Sequence, residues 1–319
     1  MKRQLAHWIT ALLLGTGFAS ALAQGTGTPL RIIVPFAAGG STDVIARSIG
    51  QKVGEILGQP VVVENRPGGG TLIGTQALKA APADGNTIML ATPDFVVNAF
   101  IHPKLPYDPL KDFAPIAVIA QNPLVMAVAA TVPARTVNEF VQLAKSRPGM
   151  LNFASAGVAS TAHLSGELLQ MQAGLKLNHV PYKGMGPAMI DILAGRTELT
   201  FVSWITIQQQ VEQGKIIPIG ITSAKRLPSL PQIPAIAESV PGVELMVWFG
   251  FLAPGATPPE VVNRLNQALV QALRAPEVRK QLSTLAEVGA GTPKEFTDLI
   301  AAEYIKWGKV VKAGNITAE

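Results

Sequence analysis

Short apolar runs alternate along this chain with segments whose apolar residues recur every three or four positions. Residues 30–36 form the first run, and they read as a buried strand because nearly every position is apolar. Residues 43–57 follow, with Val44, Ile45, Ile49, Val53, Ile56 and Leu57 on one face of a helix that Gly58 stops. Strands at 61–64 and 87–91 come next, with a short helix at 76–81 between them. Two more runs, 116–119 and 125–128, flank Gln121-Asn122-Pro123. At 151 the pattern restarts: strand 151–154, loop 155–160, helix 161–172, strand 178–180, loop 181–186, helix 187–193, strand 199–202, helix 206–213 and strand 216–222. Prolines crowd 227–234, and the apolar segment 243–253 can carry the chain back to its first half. Capping boxes begin at Thr136, Thr257 and Thr292, each with a glutamate three residues on. The last two open C-terminal helices at 258–274 and 293–312, with a shorter helix near 276–285.

Strand–helix alternation predicts the α/β class, with parallel sheets covered on both faces. The restart predicts two α/β domains. The first is discontinuous, 28–124 plus 247–319, the second is 125–246, and two crossover segments form the hinge.

The N-terminus changes the picture only by its destination. Lys2 and Arg3 precede an apolar stretch, 8–19, too short to span a bilayer, and Ala21-Leu22-Ala23 is a cleavage signature. Residues 1–23 are therefore expected to be a signal peptide, cleaved after Ala23. There is no cysteine, which excludes both a lipoprotein and a disulfide scaffold. Hydrophobic residues are 48% and charged residues 15%, the composition of an ordered chain with a sizeable core. The net charge of +5 is spread without a basic stripe, and aromatics are only 6%, so no nucleic-acid partner is expected.

Candidate chemistry is sparse. His7 lies in the signal segment, and His102, His163 and His179 are scattered without a metal-site spacing. No nucleophile-elbow motif occurs. "RPGGGTLIG", 66–74, fails the spacing of a dinucleotide loop and reads as a turn of positive-φ glycines. One catalytic alternative is an exported hydrolase using Ser160 or Ser155 with His163, which would need a third, orienting acid. The stronger pattern is "FAAGGSTD", 36–43: strand, glycine loop, helix start. It lacks the lysine of a phosphate loop. Gly39 and Gly40 permit close backbone approach, Ser41 and Thr42 are capping types, and the helix start favours an anion. Asp43 sits in the first turn, placed to cap loop amides or to meet the ligand. Residues 155–161 repeat the design. Two such ends facing one cleft would hold a small ligand by one or two carboxylates.

The segments "IIVPFAAGGSTDVIAR" (32–47), "GQPVVVENRPGGGTLIGT" (58–75), "LPYDPLKDFAPIAVIA" (105–120), "HVPYKG" (179–184), "TSAKRLPSLPQIPAIAES" (222–239) and "WFGFLAP" (248–254) resemble the Bug family. These TctC-like proteins are extracytoplasmic solute receptors of tripartite tricarboxylate transporters. The resemblance implies a type II periplasmic-binding-protein fold: two α/β domains, a central cleft and two crossover segments. It also implies a periplasmic monomer, no cofactor or metal, a small carboxylate ligand, and the permease subunits of such a transporter as partners. Presentation of the ligand to a membrane kinase is a further alternative. The matching loop positions are Phe36, Gly39, Gly40, Ser41, Thr42 and Asp43, with Phe36 as a wall of the cleft, and Ser155, Gly157, Val158, Ser160, Thr161 and His163. Two departures add candidates. Asp94 stands in Thr92-Pro93-Asp94-Phe95, where relatives often have small residues, and Ser203 and Trp204 follow Phe201-Val202 where many have an acid or amide pair. Val202 and Trp204 argue for a carboxylate with an apolar or aromatic body over a polar α-amino acid.

Overall fold

The run at 30–34 becomes β1 (Leu30–Val34), buried at every position but Arg31 and flanked by strands on both sides. The computed structural model describes residues 28–39, 41–182, 184–283 and 286–317. The expected signal peptide, 1–23, and Gly40 of the first glycine loop lie outside the described residues.

From β1 the chain passes through α1 (Ser41–Leu57), β2 (Val61–Asn65), α2 (Leu72–Lys79), β3 (Thr87–Ala91), α3 (Asp94–Ile101) and β4 (Phe113–Pro123). It then builds β5 (Val125–Ala129), α4 (Val137–Ser146), β6 (Asn152–Ser155), α5 (Thr161–Ala173), β7 (Asn178–Pro181), α6 (Met185–Leu193), β8 (Leu199–Val202), α7 (Trp204–Glu212) and β9 (Ile216–Ile221). It returns along β10 (Met246–Pro254) and ends with α8 (Pro259–Arg274), α9 (Pro276–Leu282), β11 (Glu287–Val288) and α10 (Pro293–Ala313).

Two sheets result, ordered β11-β4-β10-β3-β1-β2 and β7-β6-β8-β5-β9. Their logic is the same. A first strand, β1 or β6, lies between two parallel neighbours. Beside the third strand runs an antiparallel one, β10 or β5, and the fourth strand follows it. The expected parallel sheets are thus mixed, each parallel set being joined by antiparallel strands. β5 and β10 enter from the crossovers, so each runs against its neighbours.

Local signals hold unevenly. At Thr292 the full box forms, with its hydroxyl accepting from Glu295 N and the Glu295 carboxylate accepting from Thr292 N. At Thr136 half forms, because Glu139 accepts instead from Arg135 N. The box expected at Thr257 does not form: Pro258 is the cap, Pro259 opens α8, and Thr257 Oγ1 is buried without a partner. The pattern misses α3, whose Phe95, Val96, Val97, Asn98 and Ile101 are all buried. A helix covered on most sides leaves no amphipathic stripe to read.

The crossovers meet at Thr222, a 1% exposed threonine just past β9. Leu124 N, between β4 and β5, donates to Thr222 Oγ1 at 2.8 Å, and Thr222 N donates to Leu124 O at 2.9 Å. The same hydroxyl donates to Leu245 O at 2.7 Å, at the start of β10, and Leu245 N donates to Thr222 O at 2.9 Å. One side chain therefore ties both crossing segments. From the other direction α10 packs against α3 and α5, and its Phe296 meets Trp248 of β10 edge-on at 5.2 Å.

Thr222→Val keeps the shape but strands a buried N–H and a buried C=O. It is expected to cost about 2–3 kcal/mol. Thr222→Ser, which loses only a methyl, is expected to cost about 1 kcal/mol. Urea unfolding of both variants measures the difference, and equal costs would show that the hydroxyl does not hold the hinge.

Candidate functional site

The loops that follow the parallel strands of both sheets converge on a cavity of about 570 Å³. One wall is the turn Gly69–Gly70 with Asp94, Val97 and Asn98 of α3, and the other is the loop Gly157–Ser160 with Tyr182.

The first wall depends on its glycines. Gly68, Gly69 and Gly70 have φ of 123°, 57° and 61°, and Thr71 continues at 84°. Such a run suits residues without Cβ and brings backbone to the cavity surface. Buried Asn98 fastens the turn to α3, donating through Nδ2 to Gly70 O at 2.7 Å and to Thr71 Oγ1 at 3.1 Å. Asp94 opens α3. Its Oδ2 accepts from Thr92 Oγ1 at 2.7 Å, and burial pushes its carboxyl above the usual range.

The second wall is held from behind. Ser155 is fully buried, donating to Gly157 O at 2.9 Å and accepting from Gly157 N at 3.1 Å. With that proton committed, the hydroxyl takes its 2.7 Å bond from His179 as Nε2–H. His179 stacks against both Phe153 and His163, at centroid distances of 4.9 and 3.6 Å. Burial first, and the neighbouring His163 second, lower His179 to about 4. His163 Nδ1 accepts from Ala159 N at 3.0 Å, and its Nε2 lies 3.5 Å from Glu167. Ser160 caps α5, accepting from His163 N and donating to Gly157 O. Thr161, half-buried, is the first residue of α5, whose opening amides have no partner within the helix.

The geometry does not assemble the serine–His163 pair that the hydrolase alternative requires. Neither Ser160 nor Ser155 hydrogen-bonds the His163 ring, whose Nδ1 is taken by a backbone amide. The serine that meets an imidazole is Ser155, which is buried and paired with His179.

Of the residues singled out from sequence, Asp94, Gly157, Val158 and Ser160 share this cavity. Ser155 and His163 support it from beneath. Among the described residues of the first loop, Phe36, Gly39, Thr42 and Asp43 are not among those lining it. Phe36 is half-buried and Gly39 exposed, at the end of β1. Thr42 and Asp43 are buried in α1. The Asp43 carboxylate accepts from Arg47 Nε, Gly39 N and Asn65 Nδ2, each at 3.0 Å. Arg47, then the Gly39 amide, hold it near 2. Asp43 thus closes the loop on itself. Ser41 starts α1, with its side chain outside the described set. Ser203 accepts from Asn122 Nδ2 at 3.2 Å. Trp204 and Asn122 line a different cavity, about 620 Å³, beside β11 on the far side of β4.

Sequence reasoning overlooked Gly69, Gly70, Asn98 and Tyr182. The glycines were legible as a positive-φ turn, and their position after β2 puts them on the ligand edge of the sheet. Tyr182 lies in the quoted segment 179–184, after a strand, and nothing local marks Asn98.

Residues 45–316 match the family model described as the tripartite tricarboxylate transporter family receptor. Protein BugT of Bordetella pertussis is 33% identical over 322 residues, spanning 98% of this chain and 97% of its own. Among solved structures, Rpa4515 of R. palustris with adipate is 36% identical, with a TM-score of 0.77 over 91% of this chain and 98% of that one. MatC (Rpa3494) from Rhodopseudomonas palustris with bound malate is 30% identical, with a TM-score of 0.73 over 89% and 98%.

The lowered His179 makes stability pH-dependent in a known direction. Its value is about 4 folded against 6.5 ordinarily, so between these the unfolded chain binds more protons. The contribution is complete above pH 6.5 and is lost as pH falls towards 4. Its size is on the order of 1–3 kcal/mol. Denaturant unfolding at stepped pH is expected to show this loss in the wild type and a flatter curve in His179→Gln. Parallel curves would mean that His179 is not held neutral.

Proposed function

The chain belongs to the tripartite tricarboxylate transporter receptor family and has the two-domain fold of its periplasmic binding proteins, and from that premise we propose that it captures a small carboxylated compound in the interdomain cleft and delivers it to the permease subunits of such a transporter. The observation that carries this reading is the cavity shared by the loop before α5 and the Gly69–Gly70 turn of the other domain. At that loop the first amides of a 13-residue helix lack internal partners, and the helix dipole favours negative charge there. Apolar Val97, Ile101 and Val158 line the cavity and suit a short carbon chain. The two solved relatives hold adipate and malate, both dicarboxylates, which fits a family built around carboxylate capture. In this reading residues 1–23 direct export, cleavage follows Ala23, and the receptor works in the periplasm.

A thermal-shift screen of mono- and dicarboxylates is expected to raise the midpoint for at least one compound. At a hundredfold excess over Kd the stabilisation is about 2.7 kcal/mol. Midpoints raised by phosphorylated compounds alone would overturn the reading. Thr161→Pro tests the grip itself. Ser160 already has the extended backbone that precedes proline, and proline is well tolerated at a first helical position. The variant is expected to fold normally while carboxylate affinity falls by about tenfold or more, the value of one hydrogen bond to a charged group.

A further inference from the structure

One feature of the cavity does not suit a plain dicarboxylate. Asp94 presents a carboxylate to the space that would hold the ligand's carbon chain, and burial disfavours its charge. Among the described residues lining the cavity there is no lysine or arginine. The nearest lining group able to carry a positive charge along the same helix is His102, just past the other end of α3. Eight residues of helix separate them by about 12 Å. Thr92 Oγ1 donates one hydrogen bond to Asp94 Oδ2, which neutralises nothing. Contrast Asp43, the other acid of these loops, whose carboxylate has an arginine, an amide N–H and an asparagine. One acid is satisfied by a cation and two further donors, and the other, among the described residues, meets the cavity with one threonine hydroxyl and its own backbone N–H.

Resting on the receptor reading above, we infer that Asp94 is a specificity residue. It selects a ligand with a carboxylate at one end and, some carbons away, a hydrogen-bond donor, either a protonated amine or a hydroxyl. The carboxylate goes to the start of α5, and the donor meets Asp94 across the cavity. A second carboxylate placed there would set two negative charges against each other in a partly desolvated space. A donor fills the acceptor capacity that the fold leaves open, and an ammonium also balances the charge. The amine is thus remote from the carboxylate, unlike that of an α-amino acid. This is compatible with the apolar side chains of Val97, Ile101 and Val158 that line the same cavity.

Titration calorimetry on the full mature chain can test this with matched ligands: hexanoate, 6-hydroxyhexanoate, 6-aminohexanoate and adipate, and the corresponding four-carbon set. In the wild type, the amino or hydroxy acid is expected to bind at least tenfold tighter than the dicarboxylate of the same length. In Asp94→Asn that ratio is expected to shrink at least tenfold, with affinity for the plain monocarboxylate changed by less than about threefold. An amine preference lost in Asp94→Asn identifies charge pairing, and a hydroxyl preference identifies neutral donation. A dicarboxylate that binds the wild type tightest, or a ratio untouched by Asp94→Asn, overturns the inference and leaves the receptor reading standing. Both results would follow if Asp94 were protonated and donated to a ligand carboxylate, a role the asparagine N–H can keep. Absence of binding by every compound in both series would instead remove the receptor reading, and this inference with it.

Discussion

Everything about the cleft depends on one buried hydroxyl. Thr222 Oγ1 accepts from Leu124 N of one crossover and donates to Leu245 O of the other. Two chain segments that pass between domains are thereby held at a single point, where each would otherwise bury an unpaired backbone group. β4 and β10 run antiparallel on one side of this point, and β5 and β9 do so on the other. The sheets inherit their common strand order from this exchange. It brings the loops of both parallel sets to opposite walls of one space, so the ligand site is a consequence of topology before it is a matter of side chains.

Within that space polar groups divide by whether the fold has already used them. Asp43 carries the first glycine loop, which is why a residue in a prominent motif is not turned towards the cavity. Ser155 and His179 hold the second loop from beneath, with Gly157 as the hinge of their bonds. Among the described residues, the cavity is left with the loop Gly157–Ser160 that leads into α5, the glycine turn at 69–70, the carboxylate of Asp94 and His102. A receptor made this way recognises charge through fixed amides and selects the rest of the ligand through few side chains.

Much of the architecture was legible because period and punctuation are local. Residues 43–57 show a helical stripe that becomes α1, and the restart at 151 marks the second sheet. Helix α3 was not, since a helix buried on most sides has no stripe. The antiparallel entry of β5 and β10 was not either, because direction in a sheet is set by partners far away in sequence. For the site, glycine loops and helix caps were visible, but which of them shares a cavity is decided by the crossovers. Trp204 illustrates the limit. Its sequence neighbours place it at the end of β8, yet it faces the far side of β4 with Asn122.

A crystal structure of the mature chain with its most stabilising carboxylate tests the central claim most directly. The account predicts ligand density between Gly157–Ser160 and the Gly69–Gly70 turn, with a carboxylate oxygen within hydrogen-bond distance of the opening amides of α5. Density in the cavity beside Trp204, with the space next to Asp94 filled only by water, would contradict it.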